Sequence, residues 1–392
     1  MSFFREWRAY RAFRALPRDE RRIVFLAESH QDWHHFRPVL DHLTGALAET
    51  VLYVCADTGD PAMHQQSPRI RAFCVGKGLP RIWFCQFVQA DVLVTQVLDL
   101  GNLELKRSVH PVHYVFMSHS LTSAHMADRE DSYDHYDTIL CCGPHFEREV
   151  RRREELKGLP AKRLIPHGYG RLDDLLAHRR DPPPVNADSD IHVLLAPSWG
   201  PQTILPVCGM EIVDTILAAG FRVTLRPHYQ TRWKMPEVID RIVGRHRGNP
   251  RFAHVEQMAE SDSLFDSHVM ITEWSGAGQD YGMGLEKPVI YIDLPQKSRN
   301  AAWRSLGIEP FESYVRDKLG ALLPPGELSK LPDLVRDLVR EPGRFGGNVA
   351  KLRADWVYNV GRSGIAGAEA IAMLARETRD ARLEQERQGA TR

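Results

Sequence analysis

Apolar positions along this chain gather into short, nearly continuous runs, and the stretches between them repeat with a helical period. The runs Ile23–Ser29, Thr50–Asp57, Ile70–Gly76, Ala90–Asp99, Val112–Ser120 and Thr138–Gly143 predict strands. Unbroken apolar character, rather than alternation, is the mark of parallel strands covered on both faces. Between the first two runs, DWHHFRPVLDHLTGALAE has the spacing of a crossover helix. Repeated β–α–β units predict a doubly wound parallel sheet.

The pattern then restarts. His178–Asp190 is rich in proline and polar residues with no hydrophobic period, which places a linker at 181–190. Beyond it come strands at Ile191–Ser198, Phe221–His228, Arg251–Val255, Ser267–Trp274 and Pro288–Leu294, with a helix near Ile204–Ala219 closed by Gly220. The expected fold class is therefore α/β, with two tandem Rossmann-like doubly wound domains and an interdomain cleft. The segments are an N-terminal helix at 1–20, a first domain at 21–180, a second at 191–365, and a C-terminal helix and tail at 366–392. The closing RDARLEQERQGATR reads as a frayed end. Ligands of open α/β sheets bind beyond the carboxyl ends of strands, so those positions are where chemistry is expected.

Composition narrows the classes without choosing among them. The 392 residues carry 51 Lys+Arg against 51 Asp+Glu and are 43% apolar, which excludes a polybasic nucleic-acid coat and an acidic disordered chain. Nucleic acid is not an expected partner, since neither a motif nor a charge excess supports it. No window approaches the ~18 consecutive apolar residues of a membrane span. The arginine-rich start lacks the apolar core of a secretory signal. Cys55, Cys74, Cys85, Cys141, Cys142 and Cys208 form no CxxC pair, so a reducing cytoplasm is expected.

The first twenty residues carry a separate signal. Phe3, Phe4, Trp7, Tyr10, Phe13 and Leu16 recur at helical spacing among Arg5, Arg8, Arg11 and Arg14. Such a helix either lies in an anionic membrane interface or packs on the first domain, and the pattern favours neither.

Three strand-end segments have the residue types of a reactive site. Ser275–Gly284, with Gly276, Gly278 and Gln279, follows a strand and opens a helix. Backbone N–H groups there approach an anion, or the glycines simply allow close packing. Arg226-Pro227-His228 ends another strand. Arg226 offers a planar fork for phosphate, and His228 donates a hydrogen bond or protonates a leaving group. Nearby Ala196–Gly200, with Ser198, could line the same region. In the first domain, His119 stands between Ser118 and Ser120 beyond its strand and suits removing a proton from an alcohol. The many histidines raise a metal site, but no HExxH spacing accompanies them, and a serine hydrolase lacks its GxSxG elbow.

These segments occur in one order. His119, Gly168–Asp173, Leu194–Trp199, Arg226–His228 and Ser263–Tyr291, with Asp280-Tyr281 and Lys287-Pro288 in place, together resemble the CDP-glycerol glycerophosphotransferase family over roughly residues 110–295. That resemblance implies a GT-B-type fold and metal-independent transfer of a phosphopolyol from a CDP-activated donor to a hydroxyl. No cofactor is implied beyond the donor itself, which is a substrate. The partners implied are a nucleotide-activated donor, a cell-surface polymer or lipid-linked acceptor, and the inner face of the plasma membrane. His119 matches the family's base and His228 its second essential histidine. Arg226, Ser198, Glu273, Ser275, Gly276, Gly278 and Gln279 fall on the donor side, and Ser118, Ser120 and Arg171 on the acceptor side. The chain departs from the family at Gly170 and Tyr229, where proline is common, and at Glu273-Trp274-Ser275-Gly276, where Asp-Tyr-Ser-Ser is common. The altered pocket leaves ribitol phosphate, another alcohol phosphate or a sugar as cargo. A nucleotide-sugar glycosyltransferase, a 2-epimerase and an inactive scaffold of polysaccharide assembly are the alternatives.

Overall fold

The apolar runs become strands that stop several residues before the runs do. The computed structural model describes residues 2–98, 100–101, 105–255, 262–341 and 348–390. Asp99, the end of one expected strand, lies outside them, as do Met1 and the last two residues of the tail. Two compact units emerge: Met1–Asp173 with Asn300–Leu306 and Trp356–Arg392, and Asp174–Arg299 with Gly307–Asp355.

In the first unit, β1 (Ile23–Leu26), β2 (Val51–Cys55), β3 (Ile70–Cys74), β4 (Val92–Thr95), β5 (His113–Met117), β6 (Thr138–Cys141) and β7 (Arg163–Pro166) form a parallel sheet ordered β3-β2-β1-β4-β5-β6-β7. Every residue of β1, β2, β4 and β6 is buried, as continuous apolar strands covered on both faces must be. The pattern gives no sign of edge strand β7, because its two ends, Arg163 and Pro166, are exposed and only Leu164 and Ile165 carry apolar signal.

In the second unit, β8 (His192–Leu195), β9 (Arg222–Leu225), β10 (Phe252–His254), β11 (Val269–Thr272), β12 (Val289–Ile292) and β13 (Gly320–Leu323) are again all parallel, ordered β10-β9-β8-β11-β12-β13. This is the dinucleotide-fold order, whose switch point lies between β8 and β11. Val193, Leu195, Val223, Ile271 and Ile290 pack with Ile212, Val335 and Leu338 in its core. The helix expected at Ile204–Ala219 is broken at Cys208 into Ile204–Val207 and Gly209–Ala218, because Cys208 leaves helical geometry (φ −147°, ψ 11°).

The expected C-terminal helix is present, and its closing stretch, read as frayed, stays helical to Ala390. A helix runs from Ser363 to Ala390 and packs on helix Asp32–Thr44, burying Ala368, Ile371, Ala372, Leu374 and Ala375 in the first unit's core. A Cβ at Gly364 would stand 2.7 Å from the carbonyl oxygen of Pro38, so only glycine permits this approach. Asp173 fixes the helix start, accepting from Gly361 N (2.6 Å), Ser363 N (2.9 Å) and Ser363 Oγ (2.5 Å). Further along, Arg382 pairs with Asp19 at 3.0 Å and with buried Asp91 at 3.4 Å, which holds the segment down.

Helix Ser2–Arg14 divides its aromatics. Tyr10 and Phe13 are buried, with Phe13 edge-on to Phe73 (5.6 Å) and Phe84 (5.0 Å). Phe3 and Phe4 face solvent, at 50% and 81% exposure, and so do Arg5, Arg8, Arg11 and Arg14. Among the described residues, no helix is long and apolar enough to cross a membrane.

Candidate functional site

In the first unit, His119 follows β5 by two residues, with Phe116 6.2 Å away. Its ring lies 6.1 Å from that of His35, which in turn stacks on Tyr169 at 6.1 Å. Both Nδ1 atoms are buried without a hydrogen-bond partner. Burial brings His119 down to about 4 and His35 to about 3, the latter helped by the charges of His119, Arg171 and His34. Both rings are therefore neutral at physiological pH, as a proton acceptor must be. Arg171 lies close enough to act on His35 electrostatically.

The flanking serines bond within the first unit. Ser118 is buried, and its Oγ donates to Leu140 O at 3.0 Å, tying the end of β5 to β6. Ser120 Oγ lies 2.7 Å from Thr122 Oγ1.

In the second unit, four strand ends converge. Ser198 stands beyond β8, Arg226 and His228 beyond β9, Glu273 and Ser275 beyond β11, and Lys297 beyond β12. Ser198 N donates to Glu273 Oε1 at 2.8 Å, joining the two strands that flank the switch point. Glu273 Oε2 is buried with no partner, and burial pushes this carboxyl up to about 7. Arg226 is buried, with Nη1 3.5 Å from Ser263 Oγ.

His228 caps a helix. Its Nδ1 accepts the N–H of Gln230 at 3.1 Å at the start of helix Tyr229–Lys234, so the neutral ring carries its proton on Nε2. Burial first, then the charge of Lys297, brings it down to about 4. His228 is therefore a neutral hydrogen-bond donor rather than a stored acid. Its ring stacks 6.2 Å from Trp199.

The glycine-rich segment divides between two roles. Ser275 Oγ caps helix Gly276–Gln279 by accepting from Ala277 N at 3.3 Å. Gly278 is buried, and a Cβ there would stand 2.9 Å from Tyr291 Oη, so this glycine serves packing between helix and strand. Gln279 is buried behind it. In the Asp280-Tyr281 and Lys287-Pro288 elements, Tyr281 and Lys287 bond backbone carbonyls. Tyr281 Oη donates to Ser267 O at 3.1 Å, and Lys287 Nζ donates to the same oxygen at 2.9 Å, to Leu264 O at 3.4 Å and to Phe265 O. Trp274 is a strut: its indole N–H bonds Leu294 O at 2.9 Å, with the Arg316 guanidinium 4.1 Å from the ring centre.

Solved structures of the same architecture carry nucleotide ligands. The wall teichoic acid polymerase TagF, a histidine-to-asparagine form soaked with CDPG, matches with a TM-score of 0.57 at 14% identity, over 95% of this chain and 94% of that one. The UDP-GlcNAc 2-epimerase of Methanocaldococcus jannaschii, in complex with UDP-GlcNAc and UDP, matches with 0.55 at 11% identity, over 90% and 99%. That of Neisseria meningitidis, bound to UDP-GlcNAc, matches with 0.55 at 10%, over 90% and 99%. This is a GT-B fold. No protein-family model matches the sequence, and no curated protein matches it.

Within this GT-B chain, two residues stand at the sites that strand-end reasoning passed over. His35 sits early in helix Asp32–Thr44, after β1, where the His34-His35 pair reads as helix surface. Lys297 lies in a loop, five residues past the end of β12, and its signal was only a cation after a strand. Its Nζ donates to Ser198 Oγ at 2.7 Å. Among the described residues, no group of three or more His, Cys, Asp or Glu side chains is placed to hold a metal ion.

Proposed function

We propose that this protein is a transferase moving a phosphopolyol, glycerol phosphate or a similar alcohol phosphate, from a CDP-activated donor to a hydroxyl of a cell-surface polymer or lipid-linked acceptor. One observation carries the reading. A buried arginine, a neutral histidine with an Nε2–H, and a serine–carboxylate pair gather at the carboxyl ends of β8, β9 and β11, beside the switch point where open sheets take nucleotides. The likeness of fold to TagF adds support.

In this reading Arg226 and the amides around Ser275 hold the donor's phosphates, and the Nε2–H of His228 steadies charge on a phosphoryl oxygen. His119 takes the proton from the acceptor hydroxyl. The hydroxyl oxygen bonds to the donor's β-phosphorus as the bond to the bridging oxygen breaks, and CMP leaves. Positioning and electrostatics supply most of the acceleration in such transfers.

The epimerase neighbours favour a second reading, in which a UDP-sugar is the substrate. A thermal-shift panel of CDP, CMP, CDP-glycerol, UDP and UDP-GlcNAc separates the two. A ligand present at 100 times its Kd adds about 2.7 kcal/mol. Stabilisation by the cytidine ligands alone supports the first reading, and stabilisation by the uridine ligands alone supports the second. Silence across the panel overturns both and leaves a scaffold.

A further inference from the structure

Lys297 is half-buried, and its ammonium group touches neutral partners. It donates to Ser198 Oγ at 2.7 Å and lies 4.3 Å from the centre of the Trp199 ring. Lys234, at the end of helix Tyr229–Lys234, places a second ammonium 4.3 Å from the same ring. His228 stacks on that ring as well, with its proton on Nε2. Two cations and one N–H donor thus surround a single indole just past β8 and β9. Against them stands the carboxyl of Glu273, which already accepts from Ser198 N.

The other basic groups nearby are engaged. Arg316 pairs with Asp293 at 3.2 Å and lies over Trp274 and Tyr291. Arg226 reaches toward Ser263. Burial, the largest cause, draws Lys297 down to about 8, with the charges of Arg299 and Lys234 in the same direction and Glu273 opposing. A half-buried ammonium crowded by other cations gains most from an anion that takes several of its N–H bonds at once.

We propose that Lys297 binds the phosphates of a nucleoside diphosphate in the second unit, with Lys234 as the second cation across Trp199. Tetrahedral phosphate suits this set better than a carboxylate does. The donors are separate point charges on different elements, which a tetrahedral group with several oxygens can engage together. The assignment rests on the nucleotide reading of the same site and adds its main cationic ligand.

Isothermal titration with CDP and with UDP tests it on the full chain, using the wild type, Lys297→Ala, Lys297→Arg and Lys234→Ala. Unliganded melting temperatures establish that each variant is folded. The expected result is that whichever nucleotide the wild type binds loses about 10–100-fold in affinity with Lys297→Ala. Lys297→Arg should keep most of it, and Lys234→Ala should lose less than Lys297→Ala. Wild-type affinity in folded Lys297→Ala overturns the assignment and leaves the nucleotide reading standing. A wild type that binds neither nucleotide overturns both.

Discussion

The backbone N–H of Ser198 donates to one oxygen of the Glu273 carboxyl at 2.8 Å, and the other oxygen is buried without a partner. A carboxyl held this way titrates near 7 instead of 4.5. Between those two pH values the folded chain keeps a proton that the unfolded chain has released, so this group's contribution to stability falls as pH rises from about 4.5 through 7. Glu273→Gln keeps the acceptor for Ser198 and removes the titration. The variant should gain on the wild type by up to about 3 kcal/mol between pH 4.5 and pH 8, read from denaturant midpoints at each pH.

His119 and His35 titrate in the opposite sense. Their folded values, about 4 and about 3, lie below the ordinary 6.5. The unfolded chain takes up protons first on acidification. The stability they confer is therefore complete above 6.5 and is lost as pH falls toward 4. His35→Asn should flatten that acid limb in a series of melting curves. If His119 is the base, the acid limb of kcat/KM should lie below pH 5, and His119→Ala should lower the rate about 10²–10⁴-fold. Full transferase activity in His119→Ala would falsify the assignment.

Ser267 O is the meeting point of Tyr281 and Lys287. Their partners are carbonyls of helix Asp262–Asp266 and of Ser267 just before β11, so they hold that connection in place. Tyr281→Phe should cost about 1–2 kcal/mol and Lys287→Met more, because the latter orphans several buried acceptors. Nucleotide affinity of the folded fraction should stay unchanged; a selective loss of binding without loss of stability would refute the structural role.

The N-terminal helix sorts its substitutions by face. Phe13→Ala removes a core ring and should cost about 3–5 kcal/mol. Phe4→Ser should change stability by less than about 0.5 kcal/mol. Deleting residues 2–20 is thus a poor probe of membrane binding, since it also removes Tyr10 and Phe13 from the core. A Phe3→Ser, Phe4→Ser double variant is the better one. Equal co-sedimentation of that variant and the wild type with anionic vesicles would remove the membrane expectation.

Central strands were readable because burial on both faces writes an unbroken apolar run, as in Ile23–Leu26 or Val269–Thr272. Edge strands β3 and β10 were still readable, but β7 and β13 at the opposite edges write no such run. Arg163 and Pro166 face outward in β7, and β13 opens on a glycine and is half-exposed. The C-terminal helix was expected, but its burial in the core was not legible, for a related reason. Its core contacts are made by alanines, Ala368, Ala372 and Ala375, which carry little hydrophobic signal but allow close helix packing. At the sites, position at or past a strand end picked out His119, Arg226 and His228, and the family resemblance added Glu273. That rule cannot see His35, which reaches its neighbour from a helix, or Lys297, which comes from a loop. It also overreads Ser118 and Gly278, whose partners belong to the fold.

The helix Ser363–Ala390 has a consequence for how the chain is made. Its residues complete the core around β1, β2 and β4, yet they follow the whole of the second unit along the chain. The second unit ends at Asp355, so all of its sequence is available earlier. Domains that fold during synthesis usually finish in order from the N-terminus. Here the unit begun first is closed only after the second unit's sequence has been made, and until Ser363–Ala390 emerges the nascent protein carries an open groove along helix Asp32–Thr44.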